Sequence, residues 1–159
     1  MQPKTETMEL ALLLPLIEEV LAHGGEFELH PRGQSMLPTI KEGRDRVMLS
    51  PAAPPYARGD LLLYRRKNGV FVLHRVVKVE KDGTLTMRGD NQFALERGIK
   101  ESQVIASVKR YFRAGREVRT DSLRGRLYRL RRTLGYPFRR LVHALSWRLK
   151  RIFKGEHHG

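Results

Sequence analysis

The sequence predicts a mainly β domain with a short N-terminal helix and a basic amphipathic helical C-terminal extension. Three observations carry this. Apolar residues alternate with polar ones in short runs from residue 26 to about 112. Turn signals, Asn68-Gly69 and Asp82-Gly83 among them, separate those runs. Charge is also unevenly spread, with 19 Lys+Arg against 15 Asp+Glu in residues 1–118, but 12 against the single acid Asp121 in 119–154. The expected organisation is a helix in 1–25, a β domain in 26–118 and a helical tail in 119–159.

At the N-terminus, Leu12, Leu13, Leu16, Ile17, Val20 and Leu21 recur at helical spacing and predict a helix over 7–22, stopped by Gly24-Gly25. Pro15 is expected in its first turn or at a kink. The helix reads as a cover for the sheet, or as a docking element for a partner or substrate. The apolar run Leu10–Ile17 is broken by Pro15 and followed by Glu18-Glu19, too short to span a bilayer, so the expected location is the cytoplasm.

Strands are expected from residue 26 towards 30, then at 45–50, 60–66, 70–80, 84–88 and 103–112, with residues 92–98 as a loop. In Val70–Val79, alternation sets Val70, Val72, His74, Val76 and Lys78 on one face. An imidazole among valines is partly desolvated, which favours its neutral, base-competent form. His74 therefore reads as a general base or as a core histidine satisfied by a backbone carbonyl. Ser35, between Gly33 and Pro38, reads as an activated nucleophile or as a turn serine. The absence of cysteine excludes disulfides and thiolate metal sites, and no phosphate loop or metal-ligand motif is present, so no cofactor is expected.

Four segments favour the catalytic alternatives: Gly33-Gln34-Ser35-Met36-Leu37-Pro38-Thr39-Ile40, Arg58-Gly59-Asp60-Leu61, His74-Arg75-Val76-Val77 and Arg88-Gly89-Asp90-Asn91, in that order. Their types, order and spacing, with Ser35 and His74 39 positions apart, resemble the LexA-like and type I signal peptidase (S24/S26) superfamily of serine peptidases over residues 26–112. A histidine where other branches carry a lysine is similar to the Ser-His branch of signal peptidases. The resemblance implies a LexA/signal-peptidase-like β fold and a serine endopeptidase acting on a precursor or leader peptide through an acyl-enzyme. Ser35 would be the nucleophile and His74 the base. Glu96, where that branch has an aspartate, would orient His74, with Asp90 as second choice and as a brace accepting local backbone N–H bonds. Gly33, Ser35 and Met36 would support the turn and the oxyanion, mainly through the Ser35 N–H, because Gly33 lacks the hydroxyl many relatives carry at that position. Arg44 interrupts a Gly-Asp run usual in the family.

In the tail, Leu123, Leu127, Leu130 and Leu134, then Phe138, Leu141, Val142, Leu145, Leu149, Ile152 and Phe153, form apolar stripes among arginines and lysines. Such helices suit an anionic membrane surface at the inner face, packing on the domain or a partner helix, or, less favoured, nucleic-acid phosphates. A non-catalytic peptidase-like module held at a membrane or nucleic acid by this tail is the rival to the enzyme.

Overall fold

A computed structural model describes residues 3–120 and residue 127. Helix α1 (Pro3–Ala22) precedes strands β1 (Phe27–Leu29), β2 (Arg46–Pro51), β3 (Leu61–Arg65), β4 (Phe71–Val79), β5 (Leu85–Arg88), β6 (Glu96–Ile99), β7 (Val104–Arg113) and β8 (Arg116–Arg119). All eight strands join one antiparallel sheet in the order β1-β2-β7-β3-β4-β5-β6, with β8 added to β7. The mainly β expectation holds, and the tail stripes from residue 121 onward lie outside the described residues, Leu127 excepted.

The hydrophobic interior lies on both faces of β3, which explains why Leu61-Leu62-Leu63-Tyr64 is continuously apolar rather than alternating. Leu61 and Leu63 join Val47, Leu49, Leu73, Val108 and Tyr111 in one core. Leu62 and Tyr64 join Val76, Leu85, Met87 and Ile99 in the other. Each buried leucine contributes roughly 1.5–3 kcal/mol over leaving it in water, so Leu61, Leu62 and Leu63 together hold β3 firmly in the sheet. Its register places Leu62 opposite His74 and Tyr64 opposite Val72, which puts Tyr64 and His74 on the same face.

The β3–β4 hairpin is closed by Arg66 N–H donating to the Val70 carbonyl (2.8 Å) and Gly69 N–H to the Arg66 carbonyl (2.9 Å), with Gly69 at φ 84°. This is a type I turn followed by a left-handed glycine rather than the two-residue turn Asn68-Gly69 suggests. The construction recurs at Asp82-Gly83, where Glu80 and Thr84 close the loop.

Several expectations are corrected. The helix starts at Pro3, encloses Pro15, and turns Leu10, Leu14, Ile17 and Leu21 toward the sheet, leaving Leu12 (80% exposed), Leu13 and Leu16 outside. Residues 92–98 are not all loop, because Glu96–Ile99 pairs with β5 as an edge strand. A bulge between Val76 and Lys78 breaks the expected alternation and leaves Lys78 exposed. The sheet also gains a strand that was not expected: β8 turns back on β7 through Ala114 and Gly115, both at positive φ, and Thr120 N–H donates to the Lys109 carbonyl. Arg44, which interrupts the Gly-Asp run, has a structural role. It pairs with buried Asp45, which also accepts from Lys41 N–H (2.8 Å) and Ala114 N–H (3.0 Å), tying the end of the serine loop to the β7–β8 turn.

Candidate active site

Ser35 lies in the loop leaving β1, half-buried at the start of a series of tight turns. Gly33 reaches φ 83°, open to glycine at little cost, and its N–H donates to the Glu42 carboxylate (3.0 Å). Beyond the serine, Leu37 N–H donates to the Gln34 carbonyl and Ile40 N–H to the Met36 carbonyl, across a cis Leu37–Pro38 bond. Met36 and Ile40 are anchored in the core that contains Leu61 and Leu63. The loop is thus nailed down by two apolar side chains, while the N–H groups of Ser35 and Met36 donate to no partner among the described residues. Two unclaimed donors beside a serine hydroxyl are what an oxyanion requires.

His74 is only 1% exposed. Its Nδ1 stands 3.1 Å from Glu96 Oε1 and 3.2 Å from the Tyr64 hydroxyl. Arg66 grips Glu96 from the other side, Nε to Oε2 at 2.7 Å and Nη2 to Oε1 at 2.5 Å. Burial by itself would raise the Glu96 carboxyl, but hydrogen bonds from Arg66, His74 and Tyr64 outweigh it and hold the group well below the usual carboxylate range. Burial, and then the Glu96 charge, push the Tyr64 phenol up, so it stays a protonated donor. An ionised acceptor at Nδ1 selects the Nδ1–H tautomer and leaves Nε2 with a lone pair.

That lone pair faces the serine loop. A Cβ built on Gly89 would lie 2.7 Å from the Ser35 carbonyl oxygen and 3.0 Å from both His74 Nε2 and Gln92 Oε1. The serine backbone and the free edge of the imidazole therefore converge on Gly89, a place only glycine leaves open. Asn91 N–H completes the seam by donating to the Ser35 carbonyl (2.8 Å). No hydrogen bond joins the Ser35 hydroxyl to His74 among the described residues. A cleft of about 210 Å³ opens here, lined by Ser35, Met36, Arg66, Val72, His74 and Gln92 among others.

Of the two carboxylates singled out in the sequence, Glu96 is the one at His74 Nδ1. Asp90 takes Arg75 at 2.8 and 2.7 Å and the Thr39 hydroxyl, and Arg75 also donates to the Gly59 carbonyl (2.8 Å). Asp90 holds these two side chains together, which links the serine loop to the base strand. The sequence reading missed Tyr64, Arg66, Thr39 and Arg75. The two-residue turn that Asn68-Gly69 suggests would set Tyr64 opposite Leu73 and away from His74, so only the observed turn, with Tyr64 opposite Val72, brings the two side chains together. Among the described residues no group of three or more His, Asp or Glu side chains is placed to hold a metal ion.

Compared with known proteins, the chain matches no family model, no curated protein and no solved structure.

Proposed function

We propose that this protein is a serine endopeptidase of the LexA-like and type I signal peptidase kind, with Ser35, His74 and Glu96 as its catalytic unit. One observation carries the reading. His74 is tethered through Nδ1 to an ionised Glu96 and turns Nε2 to the point where Ser35 and Gly89 meet. A buried histidine kept only for packing has no need of a carboxylate on one nitrogen and a serine loop at the other.

The sheet offers a place for an extended peptide. β5 pairs with β4 only from Arg75 onward, so the edge of Phe71–His74 away from β3 carries no strand among the described residues. Phe71, Val72 and Leu73 line the cleft there. A peptide added along this edge would bring one carbonyl to Ser35. His74 Nε2 then takes the hydroxyl proton as Oγ attacks the carbonyl carbon, and the Ser35 N–H, with that of Met36, receives the oxyanion. The imidazolium, stabilised by Glu96, returns the proton to the leaving amine, and water hydrolyses the acyl-enzyme by the same route.

The substrate on this reading is a precursor or leader peptide met in the cytoplasm or at the inner membrane face. No helix among the described residues is long and apolar enough to cross a membrane. The basic segment 119–154 would hold an anionic surface, with nucleic acid as the less favoured partner. The missing hydrogen bond between Ser35 and His74 favours the rival reading, a peptidase-like module that binds without cleaving. A fluorophosphonate probe separates the two. Adduct formation on Ser35, abolished in Ser35→Ala and His74→Ala, supports the enzyme, and failure of the folded wild-type chain to react supports the binding module.

A further inference from the structure

We propose that Arg66 is a positioning residue for His74, holding the Glu96 carboxylate in the one orientation that keeps the imidazole as its Nδ1–H tautomer with Nε2 turned to Ser35. This rests on the peptidase reading for its purpose, but not for its geometry.

The need follows from Glu96 itself. Glutamate has one more rotatable bond than aspartate, and Glu96 stands at the start of a four-residue edge strand, opposite Met87. Left alone, its carboxylate would sample several rotamers and meet His74 in only some of them. Arg66 removes that freedom with two parallel bonds, one to each oxygen, and a planar fork of this kind fixes the plane of the carboxylate as well as its position. Arg66 can do so because its own backbone is fixed at both N–H and C=O by the β3–β4 turn.

The groups facing His74 complete the case. From β3 comes the Tyr64 hydroxyl, from β6 the Glu96 carboxylate and, behind that carboxylate, the Arg66 guanidinium. On its own strand, Arg75 is directed at Asp90 and Gly59. With Nδ1 protonated, the Tyr64 oxygen can only accept there and its own proton goes to Glu96, a single bond that cannot fix a plane. Arg66 also lines the cleft, so it is in place while a peptide lies against the site.

The test uses the full chain labelled with ¹⁵N-histidine, the His74 signals being assigned by their loss in His74→Gln. Wherever the ring is neutral, the wild type should show a protonated Nδ1 and an unprotonated Nε2. Arg66→Gln should give a mixture of tautomers, and Arg66→Lys, which keeps the charge but not the fork, a partial loss of the single form. Fluorophosphonate labelling of Ser35 should fall by on the order of 10²-fold in Arg66→Gln and by less in Arg66→Lys. If both variants keep the wild-type tautomer and lose only melting temperature, Arg66 merely staples the hairpin to β6 and the proposal is overturned. Should the wild-type protein resist the probe, the peptidase reading fails, while the tautomer measurement still decides the role of Arg66; Arg66→Lys serves for both readouts if Arg66→Gln does not fold.

Discussion

Replacing Gly89 by alanine adds a single methyl group at the point where the serine loop and the base meet. The residue is not in the left-handed region, so the alanine backbone is unstrained and the whole effect is steric. The new Cβ would lie 2.7 Å from the Ser35 carbonyl oxygen and 3.0 Å from His74 Nε2, about an ångström inside ordinary contact for the first. Neither neighbour yields easily. The Ser35 carbonyl is bonded to Asn91 N–H, and His74 is buried and tied to Glu96 and Tyr64. Overpacking of this sort costs about 1–3 kcal/mol, and the displacement it forces is of the size that lowers reaction rates by on the order of 10²-fold. Gly89→Ala should therefore lose stability in urea by that amount and, while still folded, react with a serine-directed probe far more slowly than wild type. Gly83→Ala is the matched control. At φ 80° with open space around it, it should cost about 1 kcal/mol through backbone strain and leave labelling unchanged. A wild-type labelling rate in folded Gly89→Ala would refute the convergence of Ser35 and His74 on this glycine.

Ser35→Ala and His74→Ala should each lower peptide turnover by on the order of 10³-fold or more, with the double variant hardly worse than either, as measured by steady-state kinetics on any peptide the protein cleaves. Glu96→Gln should reduce turnover far more than substrate binding, whereas Asp90→Asn, which removes the carboxylate that buried Arg75 holds with two bonds, should cost about 3 kcal/mol in denaturant unfolding; an active Glu96→Gln beside a stable, inactive Asp90→Asn would move the orienting role to Asp90. Burial opposes ionisation of Asp45, yet bonds from Arg44, Lys41 and Ala114 lower its carboxyl from 3.8 to about 2. A group depressed in the folded state contributes stability above its unfolded value that is lost as pH falls through the folded one, here about 2 kcal/mol between roughly pH 4 and pH 2. Urea midpoints at pH 5, 3 and 2 should fall less steeply in Asp45→Asn, and an unchanged slope would remove Asp45 from the account. Deleting residues 121–159 should leave the sheet folded by circular dichroism and abolish salt-sensitive sedimentation with anionic vesicles; nucleic-acid binding without vesicle binding would assign the tail to phosphates instead.

Six of the eight strands were legible in the sequence because their determinants are local. Alternating apolar residues and the glycines of the hairpin turns act over two to five positions, and both travel with the chain. Ser35 and His74 were singled out for another reason, the family resemblance that four motifs in order carry. β6 and β8 were not legible. Glu96-Arg97-Gly98-Ile99 and Arg116-Glu117-Val118-Arg119 are too polar to declare a strand, and they become one by completing the hydrogen bonds of β5 and β7. Nor could the sequence say which side of α1 faces inward, because leucines surround that helix and only the sheet beneath selects Leu10, Ile17 and Leu21. The choice between Glu96 and Asp90 belongs to the same class. It depends on the register of β4, β5 and β6, which brings Glu96 across 22 residues of chain to His74 and hands Asp90 to Arg75. Local pattern determines which segments are strands and which side chains can do chemistry; which of those side chains meet is decided by pairings between segments, and no neighbour in the sequence encodes them.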